Sequence, residues 1–171
     1  MADERLALHR VELEQVLVRQ FQTLKELIAL TKKERAALLS DPDLVLRVVE
    51  EKEALLDNMG LEEDRCRKIV QEISLLLGVR NEGTSIGALL PFFQPADASR
   101  IRNLADGIFA LAAQAREMNQ ENKAITSTKL DWLKATQAFL ISILQPDNNY
   151  GSGIGRTTPR DPTGFGVEVR A

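Results

Sequence analysis

The 171-residue chain is long enough for one domain with a moderate core, and its 44% hydrophobic and 27% charged residues are typical of a soluble protein. A net charge of −3 without a basic stripe argues against nucleic-acid binding, and the absence of an apolar run of about 18 residues argues against membrane insertion. An acidic start without an apolar signal core and a single cysteine, Cys66, predict a cytoplasmic protein.

The first predicted element is a long helix over residues 3–39. No glycine or proline occurs from Ala2 to Leu39. Apolar residues recur there at steps of three and four, the helical period, and they are Leu6, Leu13, Val16, Leu17, Phe21, Leu24, Leu27, Ile28 and Leu38. Asp41 and Pro42 then break the pattern, and this pair favours the start of a new helix.

The second predicted helix covers residues 43–77. Its seam, the line of residues whose steps alternate between four and three, has the heptad spacing of packed helices. Gly60 lies inside this helix and costs about 1 kcal/mol relative to alanine, and Gly78 suits a C-terminal cap. The seam consists of Val48, Lys52, Leu55, Met59, Glu62, Cys66, Ile69, Ile73 and Leu76.

The predicted loop over residues 78–97 is long, and a loop of this length needs a structural or functional reason. It contains the stretch SIGALLPFF, with Leu89, Leu90, Phe92 and Phe93. Two interpretations remain open. The stretch forms a short helical turn that packs these side chains onto the bundle, or it forms a lid over a groove.

The third predicted helix covers residues 98–144 and ends before Gln145-Pro146. Its heptad seam is unbroken from Ile101 to Ile143 and includes Trp132 and Phe139. The sequence therefore predicts an all-α fold, an elongated antiparallel up-down-up three-helix bundle or coiled coil over residues 1–146. The glycine- and proline-rich residues 147–171 are predicted to form a flexible tail.

The tail begins with glycines at alternate positions, in NNYGSGIG. A phosphate-binding loop needs a strand before its glycines and a helix after them, since the helix N-terminus supplies the amides that bind the anion. Here the predicted helix 98–144 precedes Gly151, Gly153 and Gly155. We interpret the stretch as a flexible arm that presents Tyr150; a Tyr150 folded back near Leu144 is the alternative.

Other residues with chemical potential have ordinary structural interpretations. His9 is interpreted as a surface histidine, and Cys66, on a seam, as a small buried hydrophobe. The acidic runs at residues 50–53 and 62–64 are interpreted as solvated faces with basic partners one turn away. We expect no catalytic residue, no metal site and no cofactor.

The third predicted helix carries two unusual patterns. Polar residues lie on or beside its seam, and they either specify register from inside the bundle or mark an open region that meets a partner. An apolar off-seam stripe either docks an amphipathic partner helix or is covered by residues 79–97. The polar residues are Asn119, Asn122, Thr126, Lys129 and Thr136, and the off-seam stripe is Leu130, Leu133, Ile141 and Leu144.

Three stretches together resemble a known family. They are EEKEALLDNMGLEEDRCRKI in the second predicted helix, NQENKAI in the third, and the Tyr-Gly step of NNYGSGIG. In this combination and order the chain resembles the FlgN family of flagellar type III export chaperones, over residues 1–155.

The resemblance implies a cytosolic helical chaperone without ATPase activity. Its clients would be the two hook–filament junction proteins, held by their C-terminal segments, protected from premature assembly and delivered to the export gate. The C-terminal part would engage the client, which fits the off-seam stripe, and Tyr150 matches a tyrosine that docks at the cytosolic domain of the gate. A structural coiled-coil adaptor or another type III secretion chaperone is the alternative.

Overall fold

The computed structural model describes residues 2–79 and 84–144, and these form an all-α protein. The elements in chain order are α1 (Ala2–Ser40), α2 (Pro42–Leu77), α3 (Ile86–Leu89), a 3₁₀ turn (Leu90–Phe92) and α4 (Pro95–Leu144). No strand occurs in the described ranges. The prediction of three long helices is therefore confirmed within a few residues at each end, and a fourth, short helix is added.

Local sequence signals define the ends of α2. The Asp41 side chain accepts a hydrogen bond from the backbone amide of Leu44, and Pro42 occupies the first turn, where its missing amide hydrogen costs nothing. At the other end Gly78 adopts a left-handed conformation, with φ of 68°, and its amide caps the last turn. Both ends agree with the sequence prediction.

Side-chain pairs show that α1 and α2 pack antiparallel to each other. His9 lies 3.4 Å from Glu72, Arg19 lies 3.1 Å from Glu62, and Lys33 lies 3.4 Å from Glu51. The core between these helices is apolar and completely or nearly completely buried. Its members include Leu13, Val16, Leu17, Cys66, Ile69, Val70 and Ile73.

The predicted loop 78–97 contains the short helix α3 and the first residues of α4, which begins at Pro95 rather than at residue 98. Leu89, Leu90 and Phe93 are at least 92% buried and join the core formed by α1 and α2. Phe92 is half exposed. The interpretation of SIGALLPFF as a packed helical turn is thus confirmed for three of its four apolar side chains.

The contacts between α4 and α1 show that these two helices run parallel to each other. Arg100 donates to Glu14 at 3.0 Å, and an alanine β-carbon at Gly107 would lie 2.8 Å from the Phe21 ring. Further along, Arg35 donates to Asn122 at 3.0 Å. A second buried cluster, with Leu24, Leu27, Ile28 and Ala115, lies between these points.

The chain divides into two compact units, and the boundary falls inside α4. The first unit comprises residues 1–131 and the second residues 132–171. Of the second unit, the structure describes residues 132–144, which are helical. The tail predicted for residues 147–171 lies outside the described residues.

Candidate functional site

The most unusual surface among the described residues is the apolar segment, which we define as residues 132–144. Its seven large apolar side chains are between 47% and 77% exposed, whereas Lys134 is its only charged residue. An exposed helix of a soluble protein normally carries a polar outer face. The seven side chains are Trp132, Leu133, Phe139, Leu140, Ile141, Ile143 and Leu144.

The exposed apolar side chains cover more than one narrow line of the segment. At 3.6 residues per turn, Trp132, Phe139 and Ile143 share one line, and Leu133, Leu140 and Leu144 share a second line roughly 100° away. Together with Ile141 they span an arc of roughly 200°. The remaining arc carries Lys134, Ala138 and Ser142. The apolar face of another helix can pack against such a surface.

The four residues of the predicted off-seam stripe are all exposed. Leu130 is the only member of the stripe in the first unit, and it is 50% exposed. The interpretation in which residues 79–97 cover it is therefore wrong for the described part of that segment. Leu133, Ile141 and Leu144 belong to the second unit and are 54%, 47% and 77% exposed. Their role in client binding remains a prediction.

One expectation about the seam is wrong. The heptad spacing assigned Trp132, Phe139 and Ile143 to the packed face of the third helix, yet they are 66%, 63% and 60% exposed. Heptad spacing identifies residues that share a helix face, but it does not reveal whether another helix covers that face. Leu140, which the sequence reasoning did not single out, is also half exposed, and its spacing of seven from Leu133 was the available signal.

A buried polar network lies in the first unit, where the sequence placed polar residues on the seams. The Lys52 ammonium donates to Glu34 at 2.6 Å and to the Asn119 side chain at 2.7 Å. The amide nitrogen of Asn122 donates to the same Glu34 carboxylate oxygen at 2.8 Å, and its oxygen accepts from Arg35. Asn122 is 3% exposed and Lys52 is 9% exposed.

This network favours the interpretation in which Asn119 and Asn122 specify register, since their hydrogen bonds are made only when the facing residues are aligned. The other polar residues of the pattern bond to backbone. Thr126 and Thr136 donate to carbonyls one turn earlier in α4, and Lys129 donates to the Leu38 carbonyl of α1.

The remaining candidate residues have structural roles. Cys66 is 8% exposed, and burial, followed by the charges of Glu63 and Glu62, raises the pKa of its thiol. A raised pKa reduces the thiolate fraction and therefore the reactivity. His9 was interpreted as a surface residue, but it is partly buried and lies 3.1 Å from Glu12 as well as near Glu72.

The acidic runs make basic contacts, but only partly along their own helix. Arg67 pairs with Glu63 one turn earlier, as expected, whereas Glu51 and Glu62 pair with α1 residues. Within the described ranges no group of three His, Cys, Asp or Glu residues could hold a metal ion. None of the described helices has the length and apolar character needed to cross a membrane. Tyr150 lies outside the described residues.

Comparison with known proteins places the chain in one family. The model of the FlgN protein family matches residues 8–157 of the 171-residue chain. No curated protein and no solved structure matches the chain significantly. The match covers both the buried polar network and the apolar segment.

Proposed function

Because the chain belongs to the FlgN family, whose members are flagellar export chaperones, we propose that it binds the flagellar hook–filament junction proteins in the cytoplasm and delivers them to the type III export gate. The scaffold would be an up-down-up arrangement of the three long helices. The observation that carries the proposal is the exposure of the apolar segment, residues 132–144.

The chemistry of the apolar segment suits a client that polymerises through helical termini. Such termini expose apolar faces before assembly, and a complementary apolar helix can mask them. Burying a large apolar side chain contributes roughly 1.5–3 kcal/mol. Association costs offset part of this gain, which suits a chaperone that must release its client at the gate.

The proposal assigns client contact to Leu133, Ile141 and Leu144 of the apolar segment, and to Leu130 in the first unit. Leu133→Asp and Ile141→Asp would each place a charge in the buried interface. We expect each variant to weaken binding of a junction-protein C-terminal segment by at least about tenfold, because charge burial without a partner removes well over 1 kcal/mol. Isothermal titration calorimetry measures this change.

The matched control is Ala138→Asp, which introduces the same charge into the same helix on the arc without large apolar side chains. All three variants are expected to retain wild-type circular dichroism, since the altered positions are exposed. Equal binding by wild-type protein, Leu133→Asp and Ile141→Asp would reject this docking surface. Weakening by Ala138→Asp to the same extent would show a non-specific effect of charge.

The second candidate function, a structural coiled-coil adaptor, is favoured by the same exposed arc, because a second copy of the chain could cover it. Sedimentation equilibrium of the isolated protein separates the two. A stable oligomer that Leu133→Asp dissociates, together with no binding of junction proteins, would support the adaptor. A monomer that binds these clients would support the chaperone.

A further inference from the structure

The first unit contains an open groove that the proposed client contact does not use. It has a volume of about 390 Å³ and lies where α4 passes Leu24 and Leu27 of α1 and Met59 of α2. Leu24, Leu27 and Ala115 at its base are at least 96% buried. Its lining therefore combines an apolar base with an accessible edge on α4.

The edge of this groove is basic. Arg116 and Lys123 line it and are exposed, and no acidic residue is among the lining residues. Several other basic side chains pair with an acidic residue of a neighbouring helix, for example Arg35 with Glu121 and Lys33 with Glu51. Among the described residues, neither Arg116 nor Lys123 forms an ion pair or a side-chain hydrogen bond. The apolar base thus lies beside two unneutralised positive charges.

The dimensions of the edge match a helix lying along α4. Arg116 and Lys123 are seven residues apart, so their α-carbons lie about 10.5 Å apart along the helix axis. Two carboxylates separated by seven residues on a partner helix have the same spacing. Ala112 and Ala115 also line the groove and lie within about one turn before Arg116, and their small side chains leave room for larger apolar residues of such a helix.

From these features we propose that the groove binds an acidic amphipathic helix, about three turns long, from another protein. Its apolar residues would contact the accessible apolar lining, Met59 and Ala112, above the buried base. Its carboxylates would pair with Arg116 and Lys123. A small molecule is a poorer match, because ligand pockets enclose most of the ligand surface and converge polar groups on it, whereas here the α4 side chains are exposed.

The test uses the full chain and two synthetic peptides of about 14 residues. In the first, leucines at three- and four-residue spacing form one face and glutamates border it along one side; in the second, lysines replace these glutamates. Fluorescence anisotropy measures both affinities. At low salt we expect the glutamate peptide to bind about tenfold more tightly, as two partly screened ion pairs allow, and high salt should reduce this preference.

Charge reversal at the groove supplies the second measurement. Arg116→Glu/Lys123→Glu is expected to reverse the preference, so that the lysine peptide binds more tightly. The matched control, Arg47→Glu/Arg102→Glu, changes the net charge equally at exposed positions outside the groove lining and should leave the preference for the glutamate peptide in place.

Three results of the peptide measurements would overturn the proposal. They are equal affinity for the two peptides, no measurable binding of either, and loss of the preference in both double variants. A dimer that dissociates only on Arg116→Glu/Lys123→Glu would also overturn it, because a second copy would then occupy the groove. Leu133→Asp is expected to bind the glutamate peptide normally, so the proposal stands or falls independently of the client site on the apolar segment.

Discussion

Two glycines inside long helices provide a direct test of the packing of α4. Replacing a glycine in a helix interior with alanine stabilises the helix by about 1 kcal/mol, because alanine loses less backbone entropy on folding. At Gly60 in α2, an added β-carbon would meet nothing within 4 Å. We therefore expect Gly60→Ala to raise the free energy of unfolding by about 1 kcal/mol.

Gly107 in α4 has the same helical environment but a close neighbour. An added β-carbon there would lie 2.8 Å from Cε2 and 3.3 Å from Cδ2 of Phe21. Forcing extra atoms into a packed site costs typically about 1–3 kcal/mol. After the helical gain of about 1 kcal/mol, Gly107→Ala is expected to lower the free energy of unfolding by about 0–2 kcal/mol.

Urea denaturation followed by circular dichroism measures both variants under the same conditions. The difference between them, about 1–3 kcal/mol, isolates the contact with the Phe21 ring, because the propensity gain is common to both. In a Phe21→Leu background, Gly107→Ala should approach the behaviour of Gly60→Ala. Equal stabilisation by the two alanines in the wild-type background would refute the reasoning, since the ring would then not be packed on Gly107.

Three further predictions concern the buried network, the cysteine and the tail. Lys52→Met should lower the free energy of unfolding by about 3 kcal/mol, since it leaves the Glu34 carboxylate without its cation. A Lys52→Met/Glu34→Leu variant that is no more stable in urea than Lys52→Met alone would contradict this explanation. Burial and Glu63 raise the pKa of the Cys66 thiol above its usual 9.0, so its contribution to stability is full below about pH 9 and is lost as the pH rises through the folded-state pKa. The stability difference between wild-type and Cys66→Ala should therefore shrink only above about pH 9. A difference that stays constant with pH in urea titrations would exclude this effect of thiol ionisation on stability. Tyr150→Ala should retain fold and client but weaken calorimetric binding of the client-loaded protein to the cytosolic domain of the gate by about 1–3 kcal/mol; unchanged binding would reject the docking role.

Local signals in the sequence were sufficient to predict both ends of α2, whereas the start of α4 at Pro95 was predicted three residues too late. Asp41-Pro42 and Gly78 act through atoms within a few residues of themselves, in one case a side-chain cap and in the other a left-handed backbone. The heptad spacing likewise identified Lys52 and Asn122 as seam residues. Such features are predictable because the required chemistry is adjacent in the chain.

The partners of those seam residues were not predictable from spacing. Asn122 bonds to the Thr31 carbonyl and to Glu34, residues 91 and 88 positions away. The spacing also could not distinguish the covered part of the α4 seam from the exposed residues Trp132 and Phe139, since both follow the same repeat. Whether a helix face is covered depends on where other helices end, which is a property of the tertiary structure.

The continuity of this repeat gives the buried network a role in setting the register of α4 against α1. Pattern alone would permit α4 to shift along α1 by one heptad, placing Ala115 or Lys129 where Asn122 lies. Neither residue can both donate to Glu34 and accept from Arg35, so a shifted register would leave buried polar groups unpaired, at about 1–3 kcal/mol for each. The network therefore opposes registers in which residues of the apolar segment would replace seam residues. Under the proposed function, polar residues in the core of the first unit would thereby help to define which apolar side chains, residues 132–144, meet the client.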